Sequence, residues 1–308
     1  MRIQFPRPLT KALLSLCVVL CVAALLPSHF TSAQKTKQFV EPIYRVSHEA
    51  PADQAPQLAA RVAHAPPLAP FDLTQRPGEH PLQPALRLAK GILDNFDRSI
   101  QDYSAMLIKQ ERINGVLGPQ EAAFVKVRNE PLFGVYMFFL KPNKGQECLY
   151  SSVPDGAKGI LYARGAGMAR RLGVMELDPD GRLAMRGQKY PITKLGLRNL
   201  VTELIEVAEN DVNFGECTVR SAQSKINDRE ATLIEVVHPV ERANFRFHKA
   251  ELFIDNELQI PIRYAAYLWP NAPGEQPPLE EAYTYLNLKL NNGYTDLDFN
   301  QDNPAYFK

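Results

Sequence analysis

Neither sign of charge dominates this chain. Lys plus Arg number 35 and Asp plus Glu 34 across 308 residues, a formal net charge of +1. Arg2, Arg7 and Lys11 all precede residue 34, and no acid does, so a chain starting at residue 34 carries 32 basic and 34 acidic side chains. That balance offers no basic stripe to a phosphate backbone and argues against nucleic acid as a partner. Catalytic signatures are missing as well. There is no G-x-S-x-G elbow, no G-x-x-x-x-G-K-[ST] loop and no G-x-G-x-x-G, and Gly165-Ala166-Gly167 reads as a turn. His238 and His248 are the histidines of the expected folded part, without an H-E-x-x-H or a Cys/His cluster. His238 reads as a structural histidine at a strand end. No catalytic residue, metal or cofactor is expected. Apolar residues at 45% and charged residues at 22% nevertheless fit a globular chain.

The longest apolar run is only 15 residues, Ala12–Leu26, short of the ~20 that a membrane-spanning helix needs. It follows the basic Arg2, Arg7 and Lys11 and precedes Thr31-Ser32-Ala33, the small residues that a signal peptidase reads. Residues 1–33 therefore read as a signal peptide cut after Ala33, with an uncleaved anchor as the alternative. The expected address is the periplasm or cell envelope. Cys17 and Cys21 lie inside the run, each after a leucine, which argues against lipoprotein processing. Cys148 and Cys217 would meet an oxidising compartment and form a candidate disulfide, which on the chain-entropy picture contributes about 4 kcal/mol. Two unrelated buried thiols are the alternative.

Residues 34–80 read as a Pro-rich disordered tether. Prolines 42, 51, 56, 66, 67, 70 and 77 interrupt any helix, and His48, His64 and His80 recur there at a spacing that fits no metal site. The folded domain is expected over residues 81–308. Pro84 suits a first helical turn, and Leu86, Ala89, Leu93, Phe96 and Ile100 form an amphipathic stripe. Strands are expected at Tyr103–Ile113, Glu121–Arg128, Gly134–Leu140, Glu147–Val153 and Gly159–Arg164, with Asn114-Gly115 as a hairpin turn. A second helix over Thr193–Ala208 precedes strands at Cys217–Ile226, Ala231–His238, Phe245–Ile254, Gln259–Trp269 and Ala282–Leu290. Short polar turns between consecutive strands dictate antiparallel pairing. About ten such strands curl. The expected fold is α+β, a large strongly curved antiparallel sheet, or half-open barrel, with two main helices on its concave side.

Alternation along the last strand puts Ala282, Thr284, Leu286, Leu288 and Leu290 on one face and Tyr283, Tyr285, Asn287 and Lys289 on the other. Hydropathy alone assigns the leucines to the inside. The tyrosines, with Tyr267, are then expected outside, where aromatic residues suit a protein partner. Residues expected to line an apolar ligand site are Met137, Phe139, Phe253, Tyr264, Leu268, Leu286 and Leu288. Arg164, Arg170 and Arg171 flank the glycines around Met168, a basic loop suited to lipid headgroups or simply solvated. Asp296, Asp298 and Asp302 form a loose acidic loop lacking the glycine and final glutamate of a calcium site.

One stretch carries a resemblance. Leu252-Phe253-Ile254-Asp255 through Ile260-Pro261-Ile262-Arg263 resembles the strand-turn-strand of the outer-membrane lipoprotein-sorting carriers, the LolA/LolB-like superfamily. Residues 85–308 more closely resemble a secreted bacterial family catalogued as domain of unknown function 1571. The supporting stretches are Asp102-Tyr103-Ser104-Ala105, Tyr283-Thr284-Tyr285-Leu286-Asn287, Asp298-Phe299-Asn300 and Asn303-Pro304-Ala305-Tyr306-Phe307. The superfamily resemblance implies a half-barrel carrying an apolar ligand, a lipid or an acylated protein, between envelope layers. The tether at 34–80 departs from that pattern. The rival expectation is a structural or interaction module of the envelope, with a filled core and a protein partner. Membrane contact is expected to be peripheral, or through an uncleaved signal anchor.

Overall fold

The computed structural model describes residues 71–308; the expected signal segment and residues 34–70 of the expected tether lie outside them. The chain opens with helix α1 (Gln83–Ser99) and continues into strands β1 (Asp102–Ile113), β2 (Val116–Leu117), β3 (Glu121–Arg128), β4 (Gly134–Lys141), β5 (Glu147–Ser151), β6 (Leu161–Arg164) and β7 (Val174–Leu177). Helix α2 (Leu197–Asp211) then leads into β8 (Thr218–Ile226), β9 (Arg229–Val237), β10 (Lys249–Asp255), β11 (Pro261–Tyr267) and β12 (Leu279–Leu290). The strands join in one antiparallel sheet of order β7-β6-β5-β4-β3-β1-β12-β11-β10-β9-β8, with β2 beside β1. The sheet is curved and does not close, so the α+β half-barrel read from the sequence stands, with twelve strands rather than about ten.

Local chemistry explains most boundaries. Pro84 sits in the first turn of α1, which buries Leu86, Ile92 and Phe96. Asn114 and Gly115 both take positive φ (51° and 79°) in the two-residue turn between β1 and β2, the conformation of a type I′ hairpin. The helix expected at Thr193–Ala208 is instead a 3₁₀ turn, Ile192–Lys194, followed by α2. Gly196 divides them at φ 115°, and the Tyr103 hydroxyl accepts the Leu197 N–H at 2.8 Å. That bond satisfies one orphan donor of the first turn from a strand 94 residues away. Strand β7 has no counterpart among the expected strands; four residues between turns leave little periodicity to read.

Ile234 and Ile254 on β9 and β10 pack with Leu86, Ile92, Val201 and Ile205 of the two helices. Phe71 and Leu73, within the span expected as tether, pack against the same cluster. His80 approaches the Phe214 carbonyl at 2.8 Å through Nε2. The joint between the sheet's two arms is β1 against β12, the first and last long strands. Beyond β12 the chain doubles back across the outer face of the first arm. Asp102 accepts the N–H groups of Asn292, Gly293 and Tyr294 at the turn. Phe299 and Tyr306 then pack on Tyr136 and Leu149, with Tyr306 stacked on Tyr136 at 3.8 Å between ring centroids. The expected acidic loop belongs to this segment, and two of its three carboxylates are engaged: Asp298 with Lys126 and Asp296 with Arg128.

Candidate functional site: a cavity in the curve of the sheet

Between the concave sheet, α2 and the loop from Pro179 to Gly196 lies a cavity of about 540 Å³, within the size range of small-molecule sites. Its apolar wall is built by strand alternation: Leu107 on β1, Met137 and Phe139 on β4, and Met175 and Leu177 on β7 point the same way. Leu200, Leu204 and Val207 close it from α2 at the i, i+4, i+7 spacing of one helix face.

Part of the wall is polar and internally satisfied. Lys109, only 7% exposed in its side chain, bridges Glu111 at 3.2 Å and Glu121 at 2.9 Å, and bonds Gln188 Oε1 at 2.7 Å. Tyr283 donates to Glu111 Oε1 at 2.7 Å, while the Lys189 N–H donates to Glu111 Oε2 at 3.1 Å. The Lys189 ammonium joins Glu280 and Glu281. Tyr190 donates to Glu281 at 2.8 Å and accepts from Arg246. Burial, followed by neighbouring carboxylates, pushes the hydroxyls of Tyr190, Tyr264 and Tyr283 well above the usual phenol range. All three therefore remain proton donors at any physiological pH.

At another part of the wall, Asp211 and His238 face each other with 3.4 Å between Oδ2 and Nε2. Burial raises the Asp211 carboxyl and lowers the His238 imidazole. The His238 Nδ1 meets the Phe247 carbonyl at 3.0 Å, and the ring stacks on Phe245 at 4.0 Å. Nδ1 is thus taken by a backbone carbonyl, while Nε2 faces the Asp211 carboxyl without a hydrogen bond among the described residues. Among the described residues, no group of three or more His, Cys, Asp or Glu is arranged to hold a metal ion.

Of the seven residues expected to line a ligand site, Met137, Phe139 and Tyr264 line this cavity. Phe253 and Leu286 do not; they join Ile226 and Ile262 in an apolar cluster on the opposite face. The alternation was legible but the side was inverted, because Glu281, Tyr283 and Tyr285 form the cavity face of β12. Tyr283 and Tyr285, expected outside, are therefore inner-wall residues, with Tyr285 only 5% exposed, whereas Tyr267 bonds Glu251 and is not part of the wall. Leu288 follows a register shift around Asn287, whose φ is 54°, and touches both the outer cluster and the inner core. Leu268, beyond the end of β11, is bonded to Pro278 and is not part of the wall. The expected disulfide is also absent. Cys148 and Cys217 are free thiols, Cys148 on β5 in the cavity wall and Cys217 beside His80 at the far edge of the sheet. Burial lifts each thiol to about 11.

A family model described as "Protein of unknown function (DUF1571)" matches residues 100–307, as the sequence resemblance led one to expect. No curated protein matches the chain. Solved structures similar to it include the Mycobacterium tuberculosis lipoprotein LppX, at 13% identity over 69% of this chain and 98% of that one, with a TM-score of 0.38. A DUF1329 family protein from Desulfovibrio piger is 11% identical over 72% of this chain and 98% of that one, at TM-score 0.35. A LolA superfamily protein from Nitrosomonas europaea is 13% identical over 70% and 98%, at TM-score 0.25.

Proposed function

We propose, for a chain that belongs to the DUF1571 family and takes no assigned activity from it, a non-enzymatic role as an exported carrier or binder of an apolar ligand, a lipid or an acylated protein, in the cell envelope. The observation that carries this reading is the cavity itself: about 540 Å³ left between the sheet and α2, with an apolar part of its wall built by Leu107, Met137, Phe139, Met175, Leu177 and Leu204. A filled core, required by the rival reading of a structural envelope module, would place side chains in that volume. Transfer of an acyl chain into it is favoured by about 25 cal/mol per Å² of apolar surface removed from water. Tyr190 and Arg246 also line the cavity and could meet a ligand's polar end. Export follows from the signal-like residues 1–33, and residues 34–70 would tether the domain.

Native mass spectrometry of the protein purified from an exporting host without detergent tests the reading. A lipid-sized mass excess that solvent extraction removes is expected. A clean apo mass that stays unchanged after incubation with envelope lipids would transfer support to the interaction-module reading.

A further inference from the structure

Exposed apolar side chains are not spread evenly over the described surface. Met168 is 84% exposed and Leu172 72%, and Val174 and Leu183 are also exposed. All four fall within residues 167–183, around the 3₁₀ turn Gly167–Leu172, β7 and the loop that follows. Met175, Leu177 and Leu183 of the same stretch, with Arg186 just beyond it, line the cavity, so the stretch borders the cavity. Solvating them costs free energy that contact with an apolar phase would recover.

Their charged neighbours have one dominant sign. Arg171, Arg182 and Arg186 are exposed, and none makes an ion pair with a described residue. Arg170 is held by the Gly145 carbonyl at 3.1 Å and anchors the turn. Asp178 and Asp180 are occupied by Lys158, which leaves Glu176 as the one unpaired carboxylate between residues 167 and 186 among the described contacts. Uncommitted arginines around protruding Met and Leu side chains match an interface whose surface is anionic and whose interior is apolar.

We propose that residues 167–186 form a docking surface for an anionic lipid bilayer, with Met168 and Leu172 entering the acyl region and Arg171, Arg182 and Arg186 meeting the headgroups. The surface orients the cavity rim toward the membrane. It stands apart from the ligand reading, because docking needs no occupant in the cavity.

Hydrogen exchange of the full chain, followed by mass spectrometry, tests this with vesicles of phosphatidylcholine alone or mixed with phosphatidylglycerol. Exchange should slow across 165–187 on the mixed vesicles and not on phosphatidylcholine, while β4 on the cavity floor is unchanged. Met168→Glu with Leu172→Glu should abolish the protection. Arg171→Gln with Arg182→Gln should raise the vesicle concentration needed for half-protection by about thirtyfold, at roughly 1 kcal/mol per arginine. Equal protection on both vesicle types, protection that survives both variant pairs, or vesicle binding that leaves 165–187 exchanging freely would overturn the proposal. Slowing on β4 without slowing on 165–187 would also overturn it, by showing ligand entry without docking. A lipid-sized mass excess is read separately, so either idea can fail alone.

Discussion

The Tyr283 hydroxyl donates to Glu111 Oε1 at 2.7 Å across the seam where the first and last long strands meet. Through this bond a tyrosine and a buried carboxylate 172 residues apart become one polar strip of cavity wall. Among the described residues, Tyr283→Phe removes the one donor to Oε1; Oε2 keeps Lys109 and the Lys189 N–H. Leaving a buried acceptor unpaired costs about 1–3 kcal/mol. Denaturant unfolding should show a loss in that range with the slope unchanged, whereas an unchanged midpoint would mean that the strip is solvated.

A second buried carboxylate governs acid sensitivity. Asp255 has no measurable exposure, and its Oδ1 accepts the N–H groups of Glu257 and Leu258 at 3.0 and 2.9 Å while Arg229 holds both oxygens. Burial alone would raise this carboxyl. Arg229 and the two N–H groups outweigh it, and the group sits below the usual carboxylate range. A carboxyl depressed by folding stabilises the protein above its unfolded pKa near 4, and the contribution disappears as pH falls through the folded value. Arg229→Met should therefore cost about 2–3 kcal/mol at neutral pH and move the acid-unfolding midpoint upward. Asp255→Asn should flatten the pH dependence of stability below pH ~4; a slope equal to that of the parent protein would refute the assignment.

This hairpin was legible because its chemistry is local. An aspartate accepting the N–H groups two and three residues on, like Asn114-Gly115 with its two positive φ angles, needs no distant partner. The period-2 texture of the long strands was legible for the same reason. What the sequence withheld depends on residues that meet only after folding. Tyr103 capping α2, Asp102 fastening residues 292–294, and the choice of inner face on β12 all join segments 94 or more residues apart. Hydropathy pointed the wrong way at Tyr283 and Leu286, because a tyrosine with a buried carboxylate partner is an inner residue and a leucine with apolar neighbours is comfortable on the outer face. A signal for the charged wall did exist: Lys109 and Glu111 interrupt a strand face otherwise made of Tyr103, Ala105, Leu107 and Ile113, a pattern that a solvated strand does not need.

Gly134 illustrates the same distance dependence. A methyl group placed there would lie 2.6 Å from the Phe299 ring of the returning C-terminal segment. Gly134→Ala should cost about 1–3 kcal/mol by overpacking. Combining it with Phe299→Ala should be less damaging than the two single losses added together, a coupling that a double-mutant cycle measures. Strict additivity would mean that the segment does not rest on β4.

Cys148 and Cys217 should react slowly with a thiol reagent at pH 8 in the native protein and completely on unfolding, since burial lifts both to about 11 and the thiolate is the reactive form. A Cys17→Ser/Cys21→Ser background isolates the two. Melting should be indifferent to reductant. A reductant-dependent shift would restore the bridge that the folded arrangement argues against.

Filling the cavity separates its wall from the outer face of the same sheet. Ala163 on β6 lines the cavity, whereas Leu286 lies in the outer cluster with Phe253 and Ile262. Ala163→Trp occupies volume that a ligand would need, at a stability change within about 3 kcal/mol, and should remove any lipid-sized mass excess. Leu286→Ala trims the outer cluster at a cost of about 2–3 kcal/mol and should leave ligand occupancy as it was. The pair is informative because both changes are comparably severe for folding and only one touches the cavity. Ligand retained by Ala163→Trp but lost by Leu286→Ala would place the binding face where hydropathy first put it, outside the tyrosine wall.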